Sequence, residues 1–408
     1  MASLVFSKNS LLALISCSKF RILDCNDGSC KFSCELSSIK QNMDSKTTKP
    51  DTSDAKQDPA LGHGNIGCFS SSGGYFSLCM TNKTVTLWET DTWKCLSTRS
   101  LEKKATSILF TKDEKHIVVA DKTGDVYKFS TNDVHSEGTL LLGHISMIMD
   151  MAFSNADKFI ITAERDEKIK VTHFPNCHNI EEYCLGHTDF VSSIGVMKSK
   201  DDEILVSGSG DGCVMFWDFK SWKRLHTECL NEQKEEEGGN EIHDDKVIVS
   251  VSCCPKNNVV CVMTESSCLL HLYHVSNDNN LKVTKLPTVT TSVSPWNVAF
   301  DSNGLLWCLQ PMESEPLMVF HPESAGQHIK YVKVEQFEDL HVYSTASDWT
   351  YLEECVGKEM QLSALRRKKD MDNMKEYLTK KEERIRQKKA RLGGLDVEEE
   401  SDAKRIKE

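Results

Sequence analysis

Histidine and aspartate are the side chains of acid–base chemistry, and in the middle of this chain they recur at a fixed distance. Leu142-Gly143-His144 opens a segment that runs to Lys168-Ile169-Lys170. Leu185-Gly186-His187 opens a second that runs through Gly210-Asp211-Gly212 to Trp217-Asp218. The two Gly-His pairs stand 43 residues apart, and Asp166 and Asp211 stand 45 apart. A Gly-His opening, a turn Asp about two dozen residues on and a closing Trp-Asp, at a period of roughly 40–45, mark a β-propeller blade. In such a blade the His sits on a loop and reaches the Asp of the turn between the second and third strands. A Trp on the third strand extends the same hydrogen-bonded chain. His187, Asp211 and Trp217 are spaced for this, with Ser207 or Ser209 as the strand hydroxyl. His144 and Asp166 repeat the arrangement, with Thr172 where the Trp would stand. These groups therefore read as a buried, satisfied polar network that holds blades together, with a structural role.

The elements that must position them are short strands. A third strand shows as an apolar-x-apolar alternation ending in a large or apolar residue. Seven such stretches occur: Arg21–Leu23, Val85–Trp88, Val126–Phe129, Ile169–Thr172, Val214–Trp217, Leu270–Tyr273 and Leu317–Phe320. Asn82-Lys83, Asp121–Gly124, Asp166-Glu167 and Asp211-Gly212 precede four of them with residues that tolerate turn geometry. The expected fold is an all-β, seven-bladed WD-type propeller over residues 1–357. Either the strand near Met1–Ser7 or the segment near His341–Thr345 is expected to pair with the other end and shut the ring. Two polar stretches, 26–64 and 231–245, read as loop insertions.

Composition sets the surroundings. The 408 residues suit one large propeller with extensions. Net charge is −12, divided unevenly: residues 358–408 carry 16 Lys/Arg against 12 Asp/Glu, while the rest carries 33 against 49. A basic arm on an acidic body suggests an interaction segment. Seventeen cysteines are scattered among apparent strands without metal-ligand spacing, and read as small buried apolar groups in a reducing compartment. The run Leu11–Ile15 reads as a first strand rather than a signal peptide, and no stretch has the length of a membrane span.

From about Ser363 helix formers take over. Met371, Leu378, Ile385 and Leu392 recur every seven residues, a stripe too thin for a coiled coil. Residues 366–391 hold 12 basic and 5 acidic side chains. A basic helix that orders on a partner or on phosphate fits this, with Lys380, Lys381, Arg384, Lys388 and Lys389 as candidate RNA contacts. A solvated tail, or a nuclear-import signal at Lys380-Lys381 and Arg386–Arg391, remains open.

No phosphate-cradling Gly loop, HExxH, GxSxG or paired-carboxylate signature is present, so no catalysis and no cofactor are expected of the chain itself. The runs Val119–Tyr127, Leu142–Met147, Ala163–Lys170 and Cys184–Val191, above all Arg165-Asp166-Glu167-Lys168-Ile169 after Gly143-His144-Ile145-Ser146-Met147, closely resemble the WD-repeat non-catalytic subunit of tRNA (guanine-N7)-methyltransferase. The likeness is strongest over residues 66–225. It implies a heterodimer whose other subunit binds S-adenosylmethionine and methylates N7 of guanine 46, with the propeller holding that subunit active and helping to support the tRNA. It also implies a docking surface on the turn Arg165–Lys170, with Lys122 and Met147 on neighbouring turns. The expected location is the nucleus, with the cytoplasm left open. The residues agree in part: Arg165, Asp166, Glu167, Lys168 and Lys170 place five charges on one hairpin that needs only one or two polar residues.

Two other readings stand beside this one. Trp217-Asp218-Phe219-Lys220 approximates the Trp-Asp-x-Arg box of a cullin-ligase substrate receptor, but Lys lacks the forked contacts of Arg. The other is a generic WD-repeat scaffold.

Overall fold

The computed structural model describes residues 2–39, 65–199, 202–231, 246–277, 281–325, 328–334, 348–358 and 361–366. The described residues form seven antiparallel sheets, each a four-stranded meander. Blade 1 spans residues 3–35, blade 2 66–100, blade 3 105–143, blade 4 148–185, blade 5 191–229, blade 6 248–285 and blade 7 297–333. Blade 6 carries an additional short strand, Val289–Thr290. All seven stretches singled out above are third strands.

Middle strands run apolar on both faces because each blade is sandwiched between two others. In His116–Asp121 of blade 3, Ile117 and Val119 pack with Cys79, Val85 and Leu87 of blade 2. Val118 and Ala120 turn instead to Ile148, Met151 and Ile160 of blade 4. The same division repeats at every seam, giving seven hydrophobic cores, one between each pair of neighbours and the last between blades 7 and 1. Buried polar groups tie the inner strands. Asp150 accepts hydrogen bonds from Met151 N, Ser107 Oγ, Ser193 Oγ and Ile194 N, joining blades 3, 4 and 5. Burial pushes its carboxyl above the ordinary aspartate range.

Ring closure differs from the expectation. Ser3–Phe6 pairs with Leu11–Ile15 inside its own blade, so Leu11–Ile15 is a second strand and every blade is continuous in sequence. His341–Thr345 lies outside the described residues. The seam between blades 7 and 1 closes by packing. Leu4 N donates to Asn297 Oδ1 at 3.1 Å, and Phe6 meets Trp307 with ring centroids 5.4 Å apart. A short helix, Trp349–Leu352, then covers the seam. Tyr351, Leu352 and Cys355 are buried with Leu12, Leu14 and Trp296. Tyr351 Oη donates to Leu14 O, Ser16 and Ser18 donate to Glu354, and Arg21 pairs with Asp348 at 2.8 Å. Side-chain packing supplies here what strand exchange was expected to supply.

The structure corrects three other expectations. Cys30–Glu35, expected in a loop, is the outer strand of blade 1. Phe32, between Lys31 and Ser33, stacks on Trp93 and packs against Phe20 and Trp88. Its short, Ser-rich context hides an ordinary alternation. Residues 40–64 and 232–245 lie outside the described residues. Cys213 and Cys229 face each other across adjacent strands and are joined by a disulfide, so these two are not free apolar thiols. The propeller unit extends to Arg366, not 357, because residues 361–366 pack onto it.

Candidate partner-docking face

One face of the ring carries the turns between second and third strands and the segments that lead into the inner strands. In blade 5 the network expected there is complete. His187 Nδ1 donates to Asp211 Oδ2 at 3.0 Å, and Ser207 Oγ donates to His187 Nε2 at 2.8 Å. Trp217 Nε1 donates to Ser207 Oγ at 2.9 Å. Ser207, not Ser209, is the strand hydroxyl. Thr188 N and Cys213 N also donate to Asp211. Burial alone pushes the Asp211 carboxyl up. The hydrogen bond from His187, with those two amides, outweighs it and holds the group below its ordinary value.

Blade 4 departs from this at one residue. His144 Nδ1 donates to Glu164 Oε1 at 2.8 Å, and Thr162 Oγ1 meets His144 Nε2 at 3.2 Å. Register explains the exchange. Ile148 opposes Glu164 as Val191 opposes Ser209, so Glu164 occupies the strand position two residues before the turn Asp. Its longer side chain reaches the His from there. The expected His144–Asp166 link is thus replaced by His144–Glu164, and the turn Arg165–Lys170 does not serve the histidine.

That turn is firmly based. Arg165 N donates to Met147 O at 2.9 Å, matching Gly210 N to Phe190 O in blade 5. Glu167 takes φ +67°, where Gly212 takes +77°. A side chain with a left-handed backbone is uncommon and costs energy that the surrounding turn must hold. Lys168 is exposed, and Asp166, Glu167 and Lys170 are half-buried. Lys122 stands on the corresponding turn of blade 3, its N–H bonded to Lys104 O. Met147 is half-buried under the face, beside Phe190, and its carbonyl supports the turn. Between the Lys122 and Arg165 turns projects Ile145, fully exposed. Sequence reading passes over Ile145 and Glu164; the signal for the latter is a carboxylate at a strand end where blade 5 has Ser209.

A second element missed in sequence lies across this face. Residues 361–366 form a strap containing a 3-10 turn, Leu362–Leu365. Leu362 and Leu365 are buried with Phe190 and Val247. Ser363 N donates to Glu265, and Arg366 Nη2 donates to Gly210 O at 2.6 Å, with Nε 3.4 Å from Asp189. The Arg165 guanidinium donates through Nε and Nη2 to Leu365 O at 3.3 and 3.2 Å. The signal available in sequence is the pair Leu362 and Leu365 just before the basic run. A cavity of about 360 Å³ opens beside the strap, with Glu265 as its one ionisable lining group. Among the described residues no cluster of His, Cys, Asp or Glu is arranged to hold a metal ion. Lys380, Lys381, Arg384, Lys388 and Lys389 lie outside the described residues.

A ring of seven four-stranded blades, pinned by a His–Asp–Ser–Trp network and presenting charged turns on one face, defines a WD-repeat scaffold. Solved structures agree on the fold. The chain aligns with one titled "Crystal structure of RRP9 WD40 repeats" at TM-score 0.59 and 16% identity, over 75% of this chain and 86% of that one. The "Crystal Structure of Mitotic Checkpoint Complex" gives TM-score 0.58 and 12% identity over 82% and 91%. Sequence comparisons reach further. A family profile described as "tRNA methyltransferase TRM82 WD40 domain" matches residues 37–137 and 129–314. The Danio rerio tRNA (guanine-N(7)-)-methyltransferase non-catalytic subunit wdr4 is 38% identical over 319 residues, 78% of this chain and 76% of that protein. The Homo sapiens WDR4 subunit is 33% identical over 328 residues, 80% and 78%. The chain belongs to this family: it is a non-catalytic subunit of a tRNA (guanine-N7)-methyltransferase, not its catalytic enzyme.

Proposed function

We propose that the turn Arg165–Lys170, with Lys122 and Ile145 beside it, receives the catalytic subunit. In this reading that subunit carries S-adenosylmethionine and methylates N7 of guanine 46 in tRNA. The propeller contributes no reacting group; it binds the catalytic subunit and holds it in its active form. The observation that carries the reading is the exchange of Asp166 for Glu164 at His144. It relieves the turn of its histidine-anchoring task while five charged residues remain in the sequence there. Mixed charge on a rigid hairpin favours register and specificity at an interface over bulk affinity. The basic segment 366–391 supports tRNA, since an acidic ring repels phosphate and any RNA contact from this subunit needs a local basic element. The complex works in the nucleus.

Co-purification from cells followed by mass spectrometry tests the partner. A Rossmann-type methyltransferase should be recovered with the wild-type chain and lost with Glu167→Lys at an unchanged melting temperature. Recovery of a ligase adaptor, or equal recovery with both chains, would remove the docking assignment.

A further inference from the structure

The guanidinium of Arg165 belongs to the docking turn, yet two of its nitrogens face the chain's own C-terminal strap. A forked guanidinium on a single carbonyl is held in orientation as well as place. The carbonyl is held in turn. Leu365 is buried against Phe190 and Val247, and Arg366 is tied to Gly210 O and Asp189. Ser363 N is anchored on Glu265 in blade 6. The strap thus links the turns of blades 4, 5 and 6, and its far end meets the first residue of the docking turn.

We infer that the strap 361–366 is a positioning element for the catalytic subunit's docking turn: Leu362 and Leu365 seat it, and Leu365 O fixes Arg165 and the turn behind it before the partner arrives. This rests on the docking assignment above. The benefit is preorganisation. A rotamer-rich Arg already immobilised in the free subunit does not have to be ordered on binding, and the turn meets its partner in one conformation. The opposite function is equally concrete. A strap that sat on Arg165 as a competitor would leave when the partner bound, and its removal would strengthen association. The sign of the effect separates the two.

The experiment measures association of the full-length chain and its variants with the catalytic methyltransferase subunit of the same organism, by surface-immobilised kinetics. The melting transition of each variant is followed by circular dichroism. A chain ending at Arg366 keeps the strap and should bind as the full chain does. A chain ending at Lys358 and the double variant Leu362→Asp/Leu365→Asp should bind about ten-fold more weakly, mostly through faster dissociation. Leu365→Met, which refills the seat, should bind as wild type. Arg165→Ala leaves the strap's apolar seat untouched and keeps the test alive if the strapless chains fold poorly. Combined with the double Asp variant, it should lose little more than either alone, because both break one link. A purely structural strap would move the melting transition and leave the Arg165 and strap effects additive. Additive effects, unchanged binding, or tighter binding without the strap would overturn the inference. Glu167→Lys is the control for its foundation. If that variant binds normally the docking assignment itself fails; if it binds weakly while strapless chains bind normally, only the strap's role fails.

Discussion

Glu164 Oε1 stands 2.8 Å from His144 Nδ1, taking in blade 4 the place that Asp211 holds on His187 in blade 5. The carboxylate comes from the end of the second strand instead of the turn, so two adjacent blades solve one problem from two positions. A direct consequence concerns which acid is structural. Glu164→Ala should leave His144 Nδ1 buried and unpaired and destabilise the ring by about 1–3 kcal/mol. Asp166→Ala leaves the His144–Glu164 pair intact and should cost less than Glu164→Ala. Urea unfolding of the two variants checks the order; equal losses would return Asp166 to the histidine.

Acid should weaken the ring in two separate pH windows. His271 is buried, and burial, with the positive charges of Lys285 and Lys246, pushes its pKa down from 6.5 to about 4. The unfolded chain takes up a proton near 6.5 that the folded chain refuses until about 4. Stability therefore falls as pH drops from about 6.5 to about 4, by on the order of 3 kcal/mol. Asp211 acts lower. Its folded pKa lies below its ordinary 3.8, so its contribution is complete above that value and is lost as pH falls through the folded value. Denaturant midpoints across pH should show the upper slope vanish in His271→Gln and the lower one in Asp211→Asn.

Glu167 separates conformational cost from function within one residue. Its φ of +67° is the conformation that Gly212 adopts freely. Glu167→Gly relieves strain of about 1 kcal/mol, partly offset by the entropy of the more flexible unfolded chain. The melting temperature should hold or rise slightly, while association with the catalytic subunit weakens. A drop in both would show that the side chain supports the fold.

The basic segment is tested by salt. Ending the chain at Arg366 should leave the heterodimer intact and weaken tRNA binding several-fold at low ionic strength. With about 3–4 phosphates no longer neutralised, the plot of log affinity against log salt should flatten by up to about one unit for each. A segment that serves only nuclear import would leave the slope unchanged and shift the protein to the cytoplasm in cells.

How much of this is legible in sequence follows from the range of each interaction. The third strands, the turns before them and the His187–Asp211–Trp217 network lie within one blade. Their spacing along the chain is set by strand and turn lengths, so local pattern suffices. The outer strand Cys30–Glu35 is obscured because its one strong anchor, Phe32, finds its partners mainly in another blade, at Trp88 and Trp93. Local spacing also points to Asp166 for His144, and only side-chain reach in the folded register assigns Glu164.

Sequence alone determined the repeat: seven blades, their order and the third strand of each, because strand and turn lengths within one blade set the spacing of its apolar alternations and turn residues. Tertiary structure decided how the ring shuts and what lies on its face. Tyr351 reaches back to Leu14, and Leu365 O reaches Arg165, across 337 and 200 residues. Contacts of that separation follow no period, since nothing in the spacing of residues along the chain records which distant surface will have a pocket for Leu362 and Leu365. They arise only once the blades have packed and created it.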